Sequence, residues 1–172
     1  MKVLKITDIL GINSTTDQQT KIHSGEAFTL WQHLAQRYDI FELTDIFENF
    51  ANDVVFKAIL ALGLKSLNDE ITQIENELNK YGISLPPRPP KSINTPSNTE
   101  ILRDELMFRI ILMGIQSFVY QQVQSLLQMQ NPALIAMFDK FLKNEISLFK
   151  KLYSYGKLKG WVYIPPSYNP SS

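Results

Sequence analysis

The chain has no cysteine, which rules out disulfides, thiol nucleophiles and thiolate metal sites. Histidine is scarce too: His23 and His33 are the only two, so imidazole acid–base chemistry has few candidates. Neither sign of charge is in excess, with Lys plus Arg and Asp plus Glu at 17 each. No net field exists to gather nucleic acid or anionic lipid over distance. No apolar run approaches the roughly 18 residues of a membrane span. Lys5 and Asp8 interrupt the opening MKVLKITDILG, so it lacks the unbroken apolar centre of a secretory signal. A Gly-rich phosphate loop, a Ser-His-Asp set and a His-Glu-x-x-His motif are all missing, and nucleotide hydrolysis and the common hydrolases have no support. These absences favour a cytoplasmic, soluble protein that does not bind nucleic acid.

What is present is apolar periodicity. At 172 residues, 44% hydrophobic and 20% charged, the composition is that of one folded domain, able to remove about 70% of its unfolded surface from water. From Ser24 to Ala51 the residues Leu30, Trp31, Leu34, Tyr38, Phe41 and Phe47 recur mostly at three and four, the spacing of one helical face. Ser24 reads as the N-cap and Glu26 as a first-turn acid facing the positive end of the helix dipole. A second helix is predicted over 53–80, with Phe56, Leu60, Leu64, Leu67, Ile71, Ile74 and Leu78 as its stripe. A third is announced at Ser97, with Glu100 completing a capping box, and runs to about Gln128. The fourth spans 131–158, opened by Asn131 as cap and Pro132 at the first helical position. Residues 1–23 form a leader, 24–164 the bundle and 165–172 a tail.

Only a few residues join the first helix to the second and the third to the fourth, so each pair is an antiparallel hairpin. Between the hairpins lies YGISLPPRPPKSINTPSNTE, Tyr81 to Glu100, with five prolines. Proline-rich chain extends about 3.1 Å per residue, a reach of roughly 50 Å, against roughly 42 Å for the second helix. That is long enough to return along the whole bundle. The segment LPPRPP also matches the loose PxxP pattern of groove ligands, but a strap tied across a bundle is not free to be read. The closing KGWVYIPP, Lys159 to Pro166, repeats the plan of YGISLPP: glycine, a short apolar piece, two prolines.

Four helices with one long crossover between the second and third make an all-α, ferritin-like bundle of two helical hairpins. Through GEAFTLW (Gly25 to Trp31), the helix lengths, YGISLPP and KGWVYIPP, the chain resembles an uncharacterised ferritin-like family of spore-forming bacteria related to the spore coat F proteins. The resemblance covers nearly everything from Ser24 onward. It implies a fold and a link to sporulation or the spore surface, with no established activity.

A ferritin-like bundle raises the question of a di-iron site, built from one Glu on each of two helices and Glu-x-x-His on the other two. Here the residues three beyond Glu26, Glu70, Glu105 and Glu145 are Thr29, Gln73, Phe108 and Leu148. The di-iron motif is absent, so no cofactor is expected. If the third helix runs parallel to the second, counting from the helix ends puts His33, Glu70 and Glu145 at similar heights, roughly 23 to 27 Å above the junction of the first and second helices. Imidazole with carboxylates suits a single divalent metal ion. Against this, Glu70 lies beside its heptad stripe, where a solvated acid is normal. Glu105 shares a face with Ile101, Phe108 and Leu112, and Arg109 four residues on is its expected partner.

The third helix is apolar nearly all round in LMFRIILMGI, Leu106 to Ile115. Three neighbours cannot cover it, so either the strap or a second copy of the chain must. The expected function is therefore a non-enzymatic structural or interaction protein, a homodimer through the third helix. The alternative is a small-molecule or single-metal binding bundle.

Overall fold

The computed structural model describes residues 21–89 and 102–166. Within them the chain forms helices α1 (Ser24–Phe50), α2 (Val54–Lys80), α3 (Asp104–Gln128) and α4 (Pro132–Lys159). Most of the leader and the end of the tail lie outside the described residues.

Local chemistry explains each start. His23, not Ser24, caps α1: its Nδ1 accepts from the backbone N–H of Gly25 and Glu26 at 3.0 and 3.3 Å, while Glu26 accepts from the N–H of His23. An imidazole with one unprotonated nitrogen can serve as the cap acceptor, and Glu26 at the third position completes a capping box. Asp53 caps α2, accepting from Val55 and Phe56. Asn131 caps α4 ahead of Pro132, as expected. Helix α3 begins at Asp104 rather than Ser97: Leu102 is not helical and Arg103 is still extended. Ser97 and Glu100 lie outside the described residues.

The direction of α3 follows from what its start touches. Asp104 accepts the backbone N–H groups of Asn52 and Asp53 at 3.0 and 2.7 Å, at the α1–α2 turn. At the opposite end Glu26 accepts the N–H groups of Gln130 and Asn131, both at 2.7 Å, at the start of α4. Helix α3 therefore runs parallel to α2, and α4 parallel to α1, the ferritin-like order that requires a full-length crossover. Each end of the bundle gathers two helix starts, whose dipoles are both positive, and sets one carboxylate between them.

Both hairpins stop the same way. Gly82 and Gly160 have φ of 67° and 70°, the left-handed conformation that glycine adopts without penalty. The residue after each returns a hydrogen bond to the helix, Ile83 to the Leu78 carbonyl and Trp161 to the Gly156 carbonyl, both at 2.9 Å. This is the physical content of the YGISLPP and KGWVYIPP repeat. Beyond Gly82 the strap turns back along the bundle: Pro86 is buried, and Arg88 pairs with Glu75 and lies 5.1 Å over the Tyr38 ring. The return along the α1–α2 hairpin is thus visible as far as Pro89; residues 90–101 lie outside the described part.

The core has two apolar regions. One gathers Leu30, Leu34, Ile74, Leu78, Leu134 and Phe138 near the α1 start. The other gathers Phe47, Phe56, Leu60, Met107, Phe108 and Leu152 near the α1–α2 turn.

Candidate functional site: a buried polar layer

Between these regions all four helices contribute polar side chains to one level. Helix α1 supplies His33 and Arg37, α2 Glu70, α3 Gln122 and Ser125, and α4 Glu145, all buried. Arg37 is 0% exposed and organises the group. Its Nε and Nη2 donate to Glu70 Oε2 at 3.0 and 2.7 Å. Its Nη1 lies 3.1 Å from His33 Nδ1. Because arginine only donates, that nitrogen accepts and the ring proton sits on Nε2. His33 Nε2 then donates to Ser125 Oγ at 2.8 Å, and Ser125 donates to the Gln121 carbonyl at 2.8 Å. The rings of Phe118 and Phe141 lie 5.0 and 5.1 Å from the guanidinium, a cation–π arrangement.

Burial and the adjacent Arg37 charge push the His33 imidazole down to about 3, so it is neutral. Burial lifts the Glu70 carboxyl above its ordinary value while Arg37 pulls the other way. Burial, with the nearby Glu70 charge, pushes Glu145 up to about 7. Some polar atoms remain unused. Glu70 Oε1 and both side-chain amide atoms of Gln122 are buried without a hydrogen-bond partner. On the side toward the α1–α2 turn, Glu70 and Glu145 face an apolar cavity of about 180 Å³.

The structure thus brings His33, Glu70 and Glu145 to one level, and Glu70 is 2% exposed instead of solvated at a helix edge. What sequence reasoning missed is Arg37, which lies between two of them. Both ring nitrogens of His33 and one oxygen of Glu70 are already engaged, and among the described residues no group of three His, Asp or Glu side chains is arranged to hold a metal ion. As they stand, these donors do not fit a resident metal. The signal for Arg37 was present: it follows His33 by four and falls between Leu34 and Tyr38 on the buried face. Glu105 pairs with Arg109 as expected, at a half-buried edge apart from the layer.

On the outside of α3, Met113, Tyr120 and Leu127 are 58%, 75% and 80% exposed. The described strap lies against Tyr38 and Glu75 of α1 and α2 and does not cover them. No charged residue occurs between Ile110 and Phe138. Among the described residues no helix is long and apolar enough to cross a membrane.

A crossover bundle with these helix directions is a ferritin-like four-helix bundle, here with an arginine ion pair in its polar centre. A family model described as "Protein of unknown function (DUF3231)" matches residues 10–172, and the chain belongs to that family. The uncharacterized protein YvdQ of Bacillus subtilis (strain 168) is 24% identical over 162 residues, covering 91% of this chain and 95% of its own. The solved structure of a candidate spore coat protein from Bacillus halodurans C-125 matches with a TM-score of 0.80 at 23% identity, over 88% of this chain and 99% of that one. A two-domain protein from Anabaena variabilis ATCC 29413, with DJ-1/ThiJ/PfpI-like and ferritin-like domains, matches with a TM-score of 0.65 at 18% identity. That match spans 86% of this chain and 40% of the other.

Proposed function

We propose that this protein is a non-enzymatic structural or interaction protein of the sporulating cell or spore surface, acting as a homodimer through α3. The observation that carries the reading is Arg37, which supplies a fixed positive charge between His33 and Glu70 in the part of the bundle where metal ligands would otherwise converge. A guanidinium is always protonated and cannot be displaced as a water can. The cellular setting rests on the fold shared with the candidate spore coat protein of Bacillus halodurans.

The homodimer draws on the outer face of α3. Met113, Tyr120 and Leu127 are exposed, and the face carries no charge from Ile110 onward. Two copies can lay this face together without placing like charges in contact. Light scattering tests it: a dimer is expected that Tyr120→Glu with Leu127→Glu dissociates, and a strict monomer at high concentration would overturn it.

A second reading, a single divalent ion on His33, Glu70 and Glu145, draws on the convergence of those three side chains and requires Arg37 to release Glu70. Elemental analysis of protein purified without a metal-affinity tag separates the two. Metal near one per chain, lost on Glu70→Ala, would sink the structural reading.

A further inference from the structure

The cavity beside the polar layer is made by two helix-interior glycines. Gly63 on α2 and Gly114 on α3 both line it, and a Cβ added to either would meet nothing within 4 Å. Glycine is the least favourable ordinary residue in a helix interior, proline apart. Neither position has the positive φ that requires it. Gly156 shows the contrast: there a Cβ would lie 2.0 Å from Phe108 Cζ, so a close neighbour explains the glycine. At 63 and 114 no neighbour does. What the two glycines preserve is empty space between the helices.

That space is apolar along its length, lined by residues such as Ile40, Leu60, Ile111 and Leu152, and acidic at one end, where Glu70 and Glu145 stand. Glu70 Oε1 is buried with no hydrogen-bond partner, an exception that calls for an explanation in a native structure. The cation beside it is committed elsewhere: Arg37 gives Nε and Nη2 to Glu70 Oε2 and Nη1 to His33, and the amides next to the two carboxyls, Asn144 at Glu70 and Gln122 at Glu145, bring no charge. Arg37 and Glu70 cancel in charge and His33 is neutral, so Glu145 is the one carboxyl without a counter-charge. The chamber therefore offers acceptors and excess negative charge. A carboxylic acid would add a third like group; a protonated amine supplies the missing donor and the missing charge.

We propose that this cavity binds a small apolar molecule bearing one protonated amine, with its carbon skeleton in the chamber and its ammonium donating to Glu70 Oε1 and the Glu145 carboxylate. Size limits the ligand: a cavity of about 150 Å³ accepts benzene, so a ring or chain of about six carbons fits here. The route in is the α2–α4 seam. Ile59, Ser66 and Leu148 line both the chamber and an outer groove that also carries Lys65, Asp69 and Lys151. Glu145 faces Glu70 from α2, Arg37 from α1 and Gln122 from α3, and its carboxyl ionises near pH 7. Amine binding therefore strengthens as pH rises from 6 to 8.

Isothermal titration with hexylamine, hexan-1-ol and hexanoate, at pH 6 and pH 8, tests the site in the full chain. Hexylamine is expected to bind one per chain, tighter at pH 8, and about tenfold or more tighter than hexan-1-ol, the size of a buried charge-assisted hydrogen bond. Hexanoate is expected not to bind. Glu145→Gln should remove the preference for amine over alcohol. Gly114→Leu should fill the chamber and abolish binding of both while circular dichroism stays helical, which keeps the test alive if the glutamate variant folds poorly. Equal affinity for amine and alcohol, preference for hexanoate, or no binding by the native chain would each overturn the proposal.

Discussion

Arg37 on α1 gives two of its N–H groups to a single oxygen of Glu70 on α2, and both side chains are all but removed from water. A buried ion pair adds little net stability over an apolar substitute, but breaking it from one side strands the other charge. Arg37→Met is therefore expected to cost about 3–5 kcal/mol, and Arg37→Met with Glu70→Leu much less than the sum of the two single changes. Urea unfolding of the four proteins measures this as a double-mutant cycle. Additive effects would mean that the pair does not organise the layer.

The same layer sets opposing pH dependences. His33 is held down to about 3 from an ordinary 6.5. Below pH 6.5 the unfolded chain takes up a proton that the folded chain refuses, so this contribution is present above 6.5 and is lost as pH falls toward 3, at up to about 1.4 kcal/mol per pH unit. Glu145 is raised from 4.5 to about 7. Its contribution is present below 4.5 and is lost as pH rises through 7, and the raised Glu70 acts in the same sense. Between pH 4.5 and 6.5 the His33 slope opposes those of Glu145 and Glu70. Relative to the native chain, thermal melts over that range should therefore slope more steeply upward with pH for Glu145→Gln and more steeply downward for His33→Asn. A native-like profile from Glu145→Gln would show that Glu145 stays ionised in the fold.

Much of this architecture is legible in the sequence because it rests on spacing. The helix stripes, the glycine stops at Gly82 and Gly160, and the length of the strap against α2 together lead to the crossover bundle, and counting along the helices brings His33, Glu70 and Glu145 level. The centre of the site is less legible because it depends on which polar residues turn inward. An arginine on an amphipathic helix usually reaches water, so the place of Arg37 between Leu34 and Tyr38 is easily passed over. Gly63 adds no hydrophobic signal, and without it the buried stripe of α2 runs Leu60, Leu64, Leu67, Ile71 and leaves Glu70 at the edge. The true face runs through Gly63 and Glu70. The start of α3 is hard to place from sequence for a related reason: a capping-box pattern at Ser97 is local, whereas the clamp that fixes Asp104 is a contact with the α1–α2 turn.

Gly156 makes a sharper test of packing than any large core residue. The Phe108 ring lies directly on its backbone, and the ring centroids of Phe108, Phe56 and Trp161 are 5.7 to 6.3 Å apart. Helix propensity alone says that Gly156→Ala should stabilise by about 1 kcal/mol. The steric conflict says the reverse, with a cost of about 1–3 kcal/mol from displaced rings. We expect destabilisation, a changed near-ultraviolet signal from Trp161, and partial recovery when Phe108→Leu makes room. A stabilised Gly156→Ala protein would show that Phe108 does not occupy that space.

Glu26 joins the two hairpins at the end opposite Asp104. Its Oε1 accepts from Gln130 and Asn131, and its Oε2 from His23. Burial works against the charged form, but the backbone N–H groups of Asn131, His23 and Gln130 outweigh it and hold the carboxyl below its ordinary value. Charge and acceptor capacity both matter here, because the starts of α1 and α4 lie side by side. Glu26→Gln keeps the shape but turns an N–H₂ toward at least one backbone donor, and should cost about 1–3 kcal/mol. The sign of its pH dependence is fixed by the lowered value: the carboxylate's contribution is present above pH 4.5 and lost as pH falls below it. The gap in melting temperature between native protein and Glu26→Gln should therefore narrow on acidification below pH 4.5. A gap that stays constant would assign the loss to packing instead of to the carboxylate between two helix starts.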